Sequence, residues 1–185
     1  MKQNNVIFIA LFVVVFSFIQ KKNIQAQEKQ FKVVSVAFYN LENLFDTIDT
    51  PDKNDVEFLP DGDYKWDTKK YNSKLEKMSE VIAQIGADVT KSAPSVIGVS
   101  ELENRKVLED LVNMPLLKNY NFDIVHYESP DRRGVDVALL YQPSVMKVIN
   151  TRSATLKIKG QDGFFTRDQL VVSGIIDGET IHFIV

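Results

Sequence analysis

The apolar positions of this chain change period as one reads along it. Phe31 to Asn40 (FKVVSVAFYN) is dense in β-branched and aromatic residues and predicts a buried strand. Leu41 to Trp66 loses that pattern. It is acidic and turn-rich, with Pro51 and Pro60-Asp61-Gly62, and predicts a long loop or an excursion over a sheet edge. The period then becomes helical. Tyr71, Leu75, Met78, Ile82 and Ile85 follow one another at steps of four, three, four and three, Asp67 stands ahead as an N-cap, and Gly86 ends the run. Pro94 to Ser100 is a second short apolar strand. Strand, helix and strand make a βαβ unit with parallel strands. Val107, Leu108, Leu111 and Val112 form one face of a second helix that stops near Pro115.

Beyond Pro115 the helical period disappears. Phe122 to Tyr127, Val135 to Tyr141, Val145 to Ile149, Gln169 to Ile176 and Thr180 to Val185 all read as strands, parted by turns such as Gln142-Pro143-Ser144 and Asp177-Gly178. A helical crossover first and antiparallel strands afterwards predict a mixed sheet in an α/β sandwich.

Before the first strand lies a different kind of segment. Lys2 precedes an apolar run from Val6 to Ile19, with Ser17 its one polar residue, followed by Lys21, Lys22 and Ile24-Gln25-Ala26. A basic start, an apolar centre and a small residue predict a secretory signal peptide over residues 1–26 and an exported product: periplasmic, secreted or cell-surface. An uncleaved anchor is the other reading, since two lysines are unusual just before a cleavage site. The run is shorter than the roughly 20 residues of a spanning helix.

Charge and cysteine content narrow the chemistry. The chain has no Cys, so disulfides, thiolate metal sites and thiol nucleophiles are excluded. Three of its 22 basic residues and none of its 25 acidic ones lie in the first 26, so the remainder has a net charge of −6. That is a poor match for non-specific nucleic-acid binding, which sets Lys and Arg against phosphate. A bound divalent cation would still supply local positive charge to a phosphate-ester enzyme.

The candidate chemistry sits at strand ends. Asn40 closes the first strand and Glu101 the second, and ligands of open α/β sheets bind beyond the carboxyl ends of strands. An amide beside a carboxylate is a hard oxygen site suited to Mg²⁺ or Mn²⁺. The same residues also suit plain roles, Asn40 in a turn and Glu101 at a helix start or in solvent. Glu103 reads as a helix-start residue. Arg132 and Arg133 stand in a turn before a strand, where guanidinium meets either phosphate or water. Arg167, taken alone, is a surface residue near a turn. Asp136 lies within an apolar run, and facing the core it requires a partner, for which an Arg is the expectation. The loop acids Asp46, Asp49, Asp52, Asp55 and Glu57 do not follow a calcium-loop spacing and read as solvated. His126 and His182 lack a triad-like context and read as core or surface residues.

Phe38-Tyr39-Asn40-Leu41-Glu42-Asn43-Leu44-Phe45, Ile97-Gly98-Val99-Ser100-Glu101-Leu102-Glu103-Asn104 and Gly134-Val135-Asp136-Val137-Ala138-Leu139-Leu140-Tyr141 occur in an order that resembles the endonuclease/exonuclease/phosphatase family. That family includes deoxyribonuclease-I-like nucleases, exonuclease-III-like repair enzymes, sphingomyelinases and inositol-polyphosphate phosphatases. The resemblance runs from about Phe31 to Val185. It implies a four-layer α/β sandwich of the deoxyribonuclease-I-like type, incomplete here. It implies metal on Glu101 and Asn40, and phosphate contacts from Asn40, Arg133 and Arg167. The reaction it implies is attack of water on a phosphodiester or phosphomonoester, nucleic acid included, with Mg²⁺ or Mn²⁺ as cofactor. The family's His-bearing loop, Asp-x-Asn motif and final Asp-His pair have no counterpart, because the chain ends in what reads as mid-strand. The expectation is therefore the N-terminal portion, residues 27–185, of an exported Mg²⁺-dependent phosphodiester hydrolase, inactive on its own. The other reading is a short, noncatalytic metal- or phosphate-binding product.

Overall fold

The computed structural model describes residues 31–185; the predicted signal segment lies outside them. Residues 33–185 form a single unit built on two sheets. The first sheet holds β1 (Val36–Leu44), β2 (Val96–Leu102), β3 (Asp123–His126) and β4 (Asp136–Tyr141), in the order β1-β2-β4-β3. The second holds β5 (Met146–Ala154), β6 (Gln169–Ile176) and β7 (Glu179–Ile184), in sequence order and antiparallel. β1 and β2 are parallel, as the βαβ reading requires, and every other pairing is antiparallel.

Helix α1 (Thr68–Gln84) crosses between β1 and β2, and the short α2 (Ala87–Thr90) follows it. Asp67 caps α1, its carboxylate accepting from the Lys70 amide at 2.8 Å. The helix buries Tyr71, Leu75, Met78 and Ile82. Full burial of each such side chain stabilises by about 1.5–3 kcal/mol. Helix α3 (Arg105–Val112) is capped by Asn104, whose side chain accepts from the Val107 amide, and buries the four apolar residues that its period marked.

Those helices cover one face of the first sheet, joined in a core by Ala37, Leu41, Ile97, Val99, Leu102, Ala138 and Leu140. The opposite face, with Val96 and Leu139, packs on Met146, Leu170, Val172, Ile176 and Phe183 of the second sheet. The described residues thus make three layers of an α/β sandwich: helices, sheet, sheet. β2 is apolar on both faces because both are covered, which explains its unbroken run. Gly98 lies on its inter-sheet face. A Cβ there would stand 2.5 Å from the Phe38 ring, which lies over the glycine from the neighbouring strand. Among the described residues, no helix is long and apolar enough to cross a membrane.

Some boundaries differ from the sequence reading. β1 begins at Val36 and continues past Asn40 to Leu44, and β5 runs on to Ala154 where only Val145 to Ile149 reads as strand. The tail of β5 carries Asn150, Thr151, Arg152 and Ser153 in succession, and pairing with β6, not apolarity, holds it extended. The acidic loop is not simply solvated. It contains a 3₁₀ turn, Val56–Phe58, and packs through Phe58, which stacks on buried Phe45 with centroids 4.2 Å apart.

Candidate active site at the sheet rim

The carboxyl ends of β1 and β2 share one rim, and both strands break register there. Asn40 opposes Ser100, but the next pair is Leu44 with Leu102. Across β2 and β4, Ser100 opposes Val137 and Leu102 opposes Asp136, so Glu101 is one extra residue, a β-bulge. Ile97 and Val99 face the helices, and so does Leu102. The extra residue therefore turns Glu101 away from the helical core. Its backbone takes φ +60°, the left-handed region that a non-glycine residue enters at a cost. Glu42 (φ +49°) and Asn43 (φ +60°) take the same region on β1 directly opposite. Three strained residues at one rim mark a place where geometry is held against local preference.

Other groups hold that backbone. Lys74 of α1 donates to the carbonyls of Glu42 and Asn43, and its ammonium lies 5.5 Å from the Trp66 ring centroid. Burial lowers the Lys74 pKa from its ordinary value, while the charges of Glu42 and Glu101 oppose that shift. The Asn40 side chain accepts from the Glu42 amide at 2.7 Å and fixes the turn. Glu103 is buried and accepts from the Asp46 amide and the Thr50 hydroxyl, each at 2.7 Å. It anchors the long loop and does not start the helix; Asn104 takes that place. Burial pushes the Glu103 carboxyl up to about 7, against the opposing effect of those two hydrogen bonds. Asp55 is buried as well, accepting from the Thr50 amide, so this loop acid is internal and not solvated.

Glu101 is partly exposed and faces Arg167, which lies just ahead of β6 of the second sheet; the closest approach, Nη1 to Oε1, is 3.8 Å. That is beyond hydrogen-bond distance. Among the described residues no donor hydrogen-bonds the Glu101 carboxylate, so its oxygens are free to meet a hard cation. Glu101 and Arg167 thus meet at the mouth between the sheets, and Asn40 stands on the neighbouring strand opposite Ser100. Arg133 does not join them. It sits in the turn before β4, its guanidinium 3.7 Å from Asp131, whose carboxylate also accepts from the Arg133 amide. Its neighbour Arg132 reaches further, donating to the Gly163 carbonyl and lying over the Phe165 ring.

The expectation for Asp136 is corrected. It is buried, but its partner is His126 and not an arginine: Nε2 and Oδ2 are 3.0 Å apart, and Asp136 Oδ1 accepts from the Ser129 amide. His126 was readable only as a lone strand residue, because its partner lies ten positions on across the β3–β4 turn. His182 bonds the Ser173 hydroxyl within the second sheet at 2.7 Å.

A family model described as the endonuclease/exonuclease/phosphatase family matches residues 35–185. The chain belongs to that family. It carries the family's phosphodiesterase/phosphatase fold, and the family is typically metal-dependent. An endonuclease/exonuclease/phosphatase family protein from Bacteroides thetaiotaomicron is 16% identical, with a TM-score of 0.48 over 84% of this chain and 50% of its own. A mannosyl-6-phosphatase from Bacteroides thetaiotaomicron is 16% identical, with a TM-score of 0.47 over 82% of this chain and 50% of its own. D. rerio TDP2 complexed with single-strand DNA product is 12% identical, with a TM-score of 0.46 over 82% of this chain and 44% of its own. The chain spans about half the length of these solved proteins. No curated protein sequence matches it.

Proposed function

We propose that this chain contributes the metal- and phosphate-binding part of a Mg²⁺- or Mn²⁺-dependent phosphate-ester hydrolase. The observation that carries the reading is Glu101, a carboxylate without a hydrogen-bond donor, held at φ +60° on the rim and facing a guanidinium 3.8 Å away. Glu101 would hold the ion, with the Asn40 amide beside it. A bound Mg²⁺ or Mn²⁺ supplies Lewis-acid polarisation of a phosphoryl oxygen. Arg167 approaches the same space from the second sheet and pairs with a second phosphate oxygen. Lys74 holds the β1 carbonyls so that Asn40 keeps its place.

Water activation is the part these residues do not supply. The His126 side chain is buried against Asp136, out of reach of solvent, and His182 bonds Ser173 in the second sheet. We therefore propose that the chain binds a divalent ion and phosphate but hydrolyses esters poorly by itself, since groups that act as a unit lose most of the rate together. The basic, apolar and small-residue pattern of residues 1–26 supports export. Calorimetric titration with Mn²⁺ tests the binding, with hydrolysis of bis(4-nitrophenyl) phosphate and 4-nitrophenyl phosphate measured in parallel. Saturable Mn²⁺ binding that Glu101→Gln removes supports the reading. Binding unchanged by Glu101→Gln overturns the role of Glu101, and rapid turnover overturns the split between binding and proton transfer.

A further inference from the structure

A second group of ligating side chains lies on the neighbouring strands. One ligand atom each from His126, Glu128 and Asp136 lie within 4.8 Å of one another. Around a zinc ion at bond lengths of about 2.0–2.2 Å, tetrahedral donors stand roughly 3–4 Å apart, so small side-chain adjustments suffice to enclose one. We infer that His126, Glu128 and Asp136 form a second divalent-metal site, suited to a borderline ion of the zinc class and separate from the Glu101 rim.

Separation follows from register. Asp136 opposes Leu102, and His126 opposes Ala138; both partners face the helical core. The bulge at Glu101 turns its carboxylate the other way, toward Arg167. The site is built in ways that a chance cluster is not. The side chains of His126 and Asp136 are 4% and 2% exposed. The Ser129 amide donates to Asp136 Oδ1 and orients the carboxylate, as outer partners of metal ligands do. Glu128 lies at the surface, where it lines a cavity of about 560 Å³.

Charge points the same way. Two carboxylates meet here, and among the described residues neither Glu128 nor Asp136 forms an ion pair with a lysine or an arginine. Lys53, which reaches into this turn, spends its ammonium on the carbonyls of Ser129 and Asp131. Arg133 is paired with Asp131. Buried charge needs a partner, and an ion bound through His126 Nε2 and Asp136 Oδ2 would replace the direct contact between those two atoms, the imidazole then carrying its hydrogen on Nδ1. One imidazole with two carboxylates favours Zn²⁺ over Mg²⁺, which prefers an all-oxygen octahedron.

The test is a calorimetric titration of the purified chain with Zn²⁺ in excess Mg²⁺, repeated with Co²⁺ to read its visible absorption. The expected result is one Zn²⁺ per chain that survives Glu101→Gln, with a Co²⁺ band that indicates nitrogen-oxygen ligation. Glu128→Gln should weaken binding by about tenfold or more, since even outer partners of a metal site are worth 10–100-fold. Glu128 is exposed, so this variant should keep the wild-type far-UV circular dichroism, and the test does not depend on Asp136→Asn, which risks the fold. Absence of Zn²⁺ binding in excess Mg²⁺ overturns the inference. So does affinity unchanged in Glu128→Gln, or a Zn²⁺ site lost in Glu101→Gln and intact in Glu128→Gln. That last result would leave the proposed function standing, so the two readings fail separately.

Discussion

Replacing Glu101 by glycine should stabilise the fold while abolishing metal binding at the rim. Glu101 is held at φ +60° by the bulge between Ser100 and Leu102. A Cβ in the left-handed region costs roughly 1–2 kcal/mol. Glycine removes that cost and adds about 0.5–1 kcal/mol of unfolded-chain entropy to be lost on folding. The net gain is about 0.5–1 kcal/mol, or roughly 1–4 °C in Tm for a chain of this size. The right reference is Glu101→Gln, not wild type. Both variants lose the loose pair with Arg167, an exposed contact worth about 0–1 kcal/mol, so the comparison isolates the backbone. Urea denaturation followed by Trp66 fluorescence gives both free energies, and Mn²⁺ at a hundredfold excess over the Kd of the rim should stabilise wild type by about 2.7 kcal/mol more than either variant. If the glycine variant unfolds more easily than the glutamine variant, the rim is not strained. If both variants gain as much stability from Mn²⁺ as wild type does, Glu101 is not the ligand.

Four other outcomes follow from the same structure. In chelator, stability should fall as pH rises from the ordinary glutamate value of 4.5 through about 7, because folding favours the protonated form of Glu103; Glu103→Gln should flatten that slope in urea midpoints measured across pH. His126→Ala removes one member of a buried pair and strands Asp136, so a loss of about 3–5 kcal/mol is expected by chemical denaturation in metal-free buffer. Asn104→Ala removes the cap of α3 and should cost about 1 kcal/mol by the same assay. Phe45→Ala empties the stack beneath Phe58 and should cost about 3–5 kcal/mol, with a red-shifted emission from Trp66, whose indole N–H donates to the Phe45 carbonyl.

Much of the fold was legible because its strands and helices obey simple periods. The parallel β1–β2 pair, the cap at Asp67 and the apolar faces of α1 and α3 follow from spacing alone. Asn40 and Glu101 were legible as a pair because parallel strands end at the same rim. What escaped the sequence reading depends on contacts far apart in the chain. Glu103 is internal because Thr50 and Asp46 return to it from 53 and 57 residues away. Asp136 gained a histidine where an arginine was expected, since only the β3–β4 register decides which side chain stands beside it. Arg133 and Arg132 are neighbours in one turn, and local hydrogen bonding to Asp131 settled which one reaches outward.

The bulge at Glu101 joins these observations into one physical argument. Had β2 kept its alternation, Glu101 would face the helices and Leu102 the second sheet. A carboxylate would then be buried in the helical core with Val99, Leu108 and Leu111, at a cost of several kcal/mol, and Arg167 would face no carboxylate at the mouth. One inserted residue reverses both placements for roughly 1–2 kcal/mol of backbone strain. It seats Leu102 in the core opposite Asp136, and it delivers the carboxylate to the mouth where Arg167 waits. The strain is the smaller of the two costs, which is why a left-handed glutamate is stable at this position and why its removal should separate stability from metal binding.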